Sequence, residues 1–264
     1  MNLPTVSETT SRMVHERTLR SDQAILLEDV SVRYRVPSER IGTFKEYMIR
    51  LVKGQIQMRT FWALNGVSLD IQRGEVFGVI GNNGAGKSTL LKVVARVLRP
   101  TRGRVVVKGR VAPLLELGAG FHPELTGKEN IFLNGALLGF SRHETLEKYD
   151  QIVDFSELGE FINAPIRTYS TGMYARLGFS VATASEPDVL IVDEILGVGD
   201  ETFRKKCQVR IETFRQRGAA ILLVSHDMST VERMCQRVAW LDHGVVKVVD
   251  EPAKVIKAYR ERGV

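Results

Sequence analysis

One stretch, Gly81-Asn82-Asn83-Gly84-Ala85-Gly86-Lys87-Ser88-Thr89, restricts the possible fold more than any other part of the chain. It fits the spacing G-x-x-x-x-G-K-[ST], in which glycines let the backbone wrap an anion and turn successive N–H groups inward. Such a loop belongs between a strand and a helix, because the helix N-terminus adds the positive end of its dipole. Both flanks are present. Val76-Phe77-Gly78-Val79-Ile80 reads as a buried strand, and Leu90, Leu91, Val93, Val94, Val97 and Leu98 repeat at helical spacing until Pro100. The unit predicts an α/β fold in which residues 81–89 hold a nucleoside triphosphate. Lys87 reaches the terminal phosphates, and the Ser88 hydroxyl can ligate Mg²⁺.

The 264 residues of the chain suit one large α/β domain with room for an inserted lobe. A net charge of +6 is spread along the chain, so it permits an anionic surface as partner without demanding one. The two cysteines, Cys207 and Cys235, are far apart and lack C-x-x-C spacing, which points to a reducing compartment without a disulfide or zinc site. No stretch approaches the roughly 18–20 apolar residues needed to span a bilayer. Residues 1–23 are polar, without the apolar centre of a signal peptide, and read as a flexible tail. A role at a membrane would therefore borrow its membrane part from another chain.

Residues 24–34 and 63–71 read as strands, and residues 103–109, bounded by glycines, as a short strand at a sheet margin. From residue 125 to about 164 the pattern is helical, and residues 173–184 form a further helix. Residues 189–192 and 220–224 are continuous apolar runs suited to strands covered on both faces. Residues 238–249, broken by Asp242-His243-Gly244, read as a hairpin, and residues 252–262 as a closing helix. The layout is a parallel core, antiparallel strands near the N-terminus and a helical lobe over 125–175.

Three further features cluster on the phosphate chemistry. Asp193 and Glu194 follow the apolar run 189–192. A strand-end Asp beside such a loop can orient Mg²⁺, and a carboxylate one residue on can polarise an attacking water. His226 ends the second buried run, where it can contact the γ-phosphate or serve as a structural residue. Tyr169-Ser170-Thr171-Gly172-Met173 opens a helix and so offers a second anion-binding N-terminus, which makes sense facing the nucleotide of another subunit. An ordinary helix cap is the other reading.

In this order, the motifs over residues 24–250 resemble the nucleotide-binding domain of ABC transporters. The resemblance implies a P-loop NTPase with a RecA-like parallel sheet core, an antiparallel β subdomain and an inserted helical subdomain. It implies ATP and Mg²⁺ as ligands, and residues 169–173 as the signature motif, with Ser170, Thr171 and Gly172 against the γ-phosphate of an opposing subunit. It also implies that Tyr34 stacks on adenine, and that Leu196-Gly197-Val198-Gly199-Asp200 crosses the dimer seam. The family's usual Gln between core and lobe is missing from residues 113–121. Glu116 is the nearest substitute, which leaves metal contact by that loop open.

Residues 114–131, 169–173 and 197–200 resemble exporters of bacterial surface polysaccharides: O-antigen, capsule and teichoic acid transporters. Residues 35–60 form an insertion. In it Ile41, Phe44, Tyr47, Met48, Leu51 and Val52 make one apolar helical face among basic residues. Such a helix suits a headgroup surface, a partner helix or its own domain. Residues 251–264 leave room for a helix and not for the carbohydrate-binding domain some of these exporters carry. The resemblance implies a homodimer, two transmembrane permease subunits, a lipid-linked polysaccharide as cargo, no nucleic acid, and a peripheral position on the cytoplasmic face of the inner membrane. An ABC protein working on nucleic acid or ribosomes would show two such domains or a long coiled-coil insert. Glu194 and the signature argue against a kinase, and no Asn-Lys-x-Asp motif reads guanine.

Overall fold

The computed structural model describes residues 20–37, 58–114, 117–193 and 199–262. A three-stranded antiparallel sheet places β1 (Gln23–Pro37) between β2 (Met58–Gln72) and β4 (Arg102–Val107). A second sheet has six strands. In spatial order they are β5 (Val111–Leu114), β6 (Val189–Asp193), β7 (Ala220–Val224), β3 (Val76–Ile80), β8 (Arg237–Asp242) and β9 (Val245–Asp250). All run parallel except β9, which returns antiparallel on β8.

Alternation explains why these strands are apolar throughout. Phe77, Val79, Val189, Ile191, Leu222, Val224, Ala239 and Leu241 pack on one face, against helix α1 (Lys87–Val94) and the three-stranded sheet. Ile80, Leu190, Val192, Ile221, Leu223, Val238 and Trp240 pack on the other. That face is covered by α5 (Glu201–Gln216), α6 (Met228–Met234) and α7 (Pro252–Arg262). With both sides covered, neither can carry polar side chains. Cys207 and Cys235 lie free within this second layer, and burial pushes both thiols up to about 12.

The lobe consists of α2 (Gly127–Leu137), α3 (Arg142–Ser156) and α4 (Thr171–Ala182), with two short 3₁₀ turns between α3 and α4. Thr126 with Glu129, and Ser141 with Glu144, make capping boxes that start α2 and α3. Hydrogen bonds from the cap backbone lower the pKa of both glutamates. Leu177 and Val181 of α4 pack into the lobe with Ile131, Ile152 and Ile162, while Phe179 joins the main core. There Phe155 stacks on Phe179 at 5.8 Å and meets the edge of Phe203 at 5.7 Å. The Arg176 guanidinium lies over Phe203 and bonds Glu157 and Asp200, and Lys206 donates to the Phe155 carbonyl and Glu157. Lobe and core are thus fastened through three rings ringed by charge.

Several elements differ from the sequence expectation. Helix α1 stops at Val94, six residues before Pro100, because Arg96 takes φ 61° and Lys92 O accepts from the N–H groups of Val97 and Leu98. Strand β5 contains Pro113, within the stretch read as loop, and an edge strand tolerates the missing N–H. Helix α5 was not anticipated, although Phe203, Cys207, Ile211 and Phe214 form its buried stripe. Strands β1 and β2 pair as far as Pro37 and Met58, taking up both ends of segment 35–60. The tail to residue 19 and the apolar face over 41–52 lie outside the described residues.

Phe203 is fully buried. Phe203→Ala is expected to lower unfolding free energy by about 3–5 kcal/mol, read from urea denaturation.

Candidate functional site

Strands β6, β7 and β3 are adjacent and parallel, so their C-terminal ends share one sheet edge. The register sets Val79 beside Val224, and Val224 beside Asp193. Convergence follows from that register. Asn83, Gly84, Gly86, Lys87, Ser88, Thr89, Asp193 and His226 line one cleft of about 810 Å³, with Tyr34 across from them. Gly81, Asn82 and Ala85 are not among the lining residues.

The loop is seated against two carbonyls. A Cβ on Gly81 would lie 2.1 Å from the Leu241 oxygen, and one on Gly86 would lie 2.4 Å from the Ala63 oxygen. Gly244 N–H donates to Ala85 O at 2.9 Å, and Gly244 O accepts from Asn65 N–H at 2.8 Å. The β8–β9 turn and strand β2 therefore hold the loop from two sides. Helix α1 begins at Gly86 with no side-chain cap and no acidic residue in its first turn, leaving a positive N-terminus at the cleft. Lys87 is buried, and its Nζ donates to Gly81 O at 2.7 Å and to Asn82 O at 3.1 Å. The ammonium is thus drawn to the base of the loop, beside the cleft that it lines.

Opposite the loop, Tyr34 and Phe61 face each other across the β1–β2 pair, ring centroids 5.7 Å apart. Phe61 is 45% exposed, as an aromatic platform for a planar ligand would be. Trp62 lies between the guanidiniums of Arg33 and Arg102, at 5.6 and 5.3 Å. Arg59, Phe61, Trp62 and His243 all line the cleft and were not picked out as site residues from the sequence. Phe61 pairs with Tyr34 from 27 residues further along the chain. His243 enters through the β8–β9 turn, with φ 45° and its Nδ1 2.8 Å from Asp242 Oδ1.

Beyond His226, Asp227 caps α6. It accepts from Ser229 and Thr230, and these bonds lower its carboxyl to about 2. Ser170, Thr171 and Gly172 do not line the cleft. Ser170 is the N-cap of α4, its Oγ accepting from Met173 N–H at 3.2 Å; Ser170 and Thr171 are exposed, and the first turn holds no acidic residue. Among the described residues a Cβ on Gly172 would meet only Ser170 Oγ, at 3.8 Å, so none of them requires a glycine there. Tyr169 anchors the turn by donating to Phe161 O. Arg176, on the same helix, bonds Asp200, the N-cap of α5, whose carboxyl is held low chiefly by the Phe203 N–H. Glu194 and Glu116 lie outside the described residues.

The two flanking contacts separate the glycines by consequence. Both take left-handed backbone, φ 105° at Gly86 and 81° at Gly84, but a methyl group at Gly86 also meets a backbone oxygen at 2.4 Å, whereas at Gly84 it meets nothing within 4 Å. Gly86→Ala is expected to weaken nucleoside triphosphate binding about tenfold or more, and Gly84→Ala clearly less, in equilibrium titration.

Comparison with known proteins gives a consistent picture. Residues 64–197 match the family described as ABC transporter. The chain is 51% identical over 212 residues to an O-antigen export system ATP-binding protein of Klebsiella pneumoniae, covering 80% of this chain and 85% of that one. It is 48% identical over 246 residues to the corresponding protein of Myxococcus xanthus, covering 91% of this chain and 56% of that one. A teichoic acids export ATP-binding protein of Enterococcus faecalis is 44% identical over 78% of this chain, which spans 46% of that protein. The chain thus spans about half the length of two of these three relatives. Among solved structures, a dimeric ATP-binding cassette in a post-hydrolysis state with ADP and Pi superposes with a TM-score of 0.67. It shares 20% identity, over 86% of this chain and 98% of the other. An ATP binding subunit of an ABC transporter superposes with a TM-score of 0.69 at 24% identity, over 91% and 95%. With the family match over half the chain and these relatives, the chain belongs to the ABC transporter family, as an ATP-binding cassette.

Proposed function

We propose that the chain is the ATP-hydrolysing subunit of an exporter that moves a bacterial surface polysaccharide across the cytoplasmic membrane. The cargo would be lipid-linked and of the O-antigen, capsule or teichoic acid type. One observation carries the reading: a single cleft gathers the phosphate loop, Asp193, His226 and Tyr34. The kinship to O-antigen and teichoic acid export subunits supports the choice of cargo.

In this reading Tyr34 stacks on adenine, and the amides of residues 81–89 with Lys87 bind the phosphates. Ser88 and Asp193 offer hard oxygen donors in the same cleft, which fits Mg²⁺. The described residues hold no cluster of three or more His, Cys, Asp or Glu, so phosphate oxygens and water would complete the coordination. Bound Mg²⁺ would offset charge on the phosphate oxygens. Glu194, next after Asp193, takes a proton from the attacking water, and His226 senses the γ-phosphate. Glu116 stands where the family's Gln would, as a weaker candidate near the metal.

Residues 170–172 lie outside the chain's own cleft and offer an anion site at a helix N-terminus that has no acidic residue in its first turn, with Ser170 and Thr171 exposed. A homodimer would use that site to close on the partner's γ-phosphate. No helix of the described residues is long and apolar enough to cross a membrane. Two permease subunits would supply the channel, with this chain peripheral on its cytoplasmic side. Leu137, Leu146 and Phe161, each more than 60% exposed on the lobe, would give the permeases an apolar footing.

Glu194→Gln is expected to keep ATP binding, to lower turnover about 10²–10⁴-fold and to accumulate an ATP-bound dimer on size exclusion. Turnover at the wild-type rate would refute the assigned base. For the cargo, ATP hydrolysis in permease-containing proteoliposomes should rise on adding a lipid-linked polysaccharide, and an unchanged rate would count against export of that class.

A further inference from the structure

Asn82 of the phosphate loop is held at two oxygens. Its main-chain oxygen accepts from Ala85 N–H at 3.1 Å and from Lys87 Nζ at 3.1 Å, both inside the loop. Its side-chain Oδ1 accepts from the Tyr259 hydroxyl at 2.7 Å, across 177 residues of sequence. This second tie comes from outside. Tyr259 sits on α7, one turn beyond the buried Val255 and Ile256, and its ring meets Trp240 edge-on at 5.7 Å. Trp240 is buried on β8, next to Leu241, whose carbonyl closes against Gly81. The phenol is therefore fixed by the same strand that seats the loop, and a Tyr has only two side-chain torsions to lose.

Given the ATP reading above, we infer that Tyr259 is a positioning residue for the triphosphate site, acting through Asn82 on the loop that orients Lys87. Tyr259 itself does not line the cleft. By holding Asn82 before ATP arrives, it spares the loop an ordering step on binding, so its contribution belongs to affinity and not to the chemical step.

Tyr259→Phe deletes the hydroxyl and leaves the ring on Trp240. The expected result is a rise of about fivefold in KM for ATP, and in Kd by direct titration, with kcat within twofold and Tm unchanged. Asn82→Ala, made at an exposed loop position, should reproduce the KM effect. The double variant should then add nothing to either single one, because both remove the same bond. Unchanged KM and Kd in Tyr259→Phe, or fully additive effects in the double variant, would overturn the inference. So would a fall in kcat with KM unmoved. These outcomes stand apart from failure of the ATP reading, which would show as a wild-type chain that neither binds nor hydrolyses ATP.

Discussion

The site depends on two backbone contacts that only glycine permits. Leu241 O and Ala63 O close against Gly81 and Gly86 at distances no Cβ could share, and Gly244 bonds the loop at Ala85 from the same turn. Backbone against backbone is a stiff joint, because there is no rotamer to relax. It welds the phosphate loop to β8 and to β2 together. The aromatic pair on β1 and β2 is consequently fixed in relation to Lys87 and Ser88. The parallel register does the same for Asp193 and His226. A triphosphate needs its phosphates and its base recognised at a set separation, and here two sheets of opposite character are joined at the loop itself.

Much of this could be read in the residues. The loop motif, the buried runs at 76–80, 189–192 and 220–224, and the Asp242-His243-Gly244 turn correspond to β3, β6, β7 and the β8–β9 hairpin. Those segments were legible because local signals and burial agree. Strand β5 was not, since four residues with a proline carry no period, and only pairing with β6 makes them a strand. Helix α5 has low overall apolarity, and its stripe of Phe203, Cys207, Ile211 and Phe214 is diluted by charge. Phe61 and Tyr259 were hidden for another reason. Their partners are 27 and 177 residues away, and no local pattern encodes such contacts.

The capped helices show how one type of feature serves opposite ends. At α2 and α3 the cap side chain and a glutamate three residues on satisfy each other, which closes the terminus to any ligand. At α1 and α4 the first turn lacks an acidic residue, and α1 lacks even a side-chain cap. The difference is chemical and local: two termini are neutralised within the chain and two keep their positive ends. Of these four helices, the two without an acidic first turn follow the phosphate loop and Tyr169-Ser170.

Those two termini are not equivalent within one chain. The α1 terminus opens on the cleft, whereas residues 170–172 do not reach it. Neither its φ nor any contact among the described residues requires Gly172 to be glycine. A position kept small where the chain does not crowd it fits the close approach of something outside the chain. Helix α4 also carries Arg176, which ties it to Asp200 at the start of α5, and Phe179, which anchors it in the core. A load taken up at residues 170–172 would therefore pass along α4 into both the lobe and the loop before α5. In the proposed homodimer, that arrangement would give the partner's nucleotide a rigid path to the surface where a permease is proposed to stand.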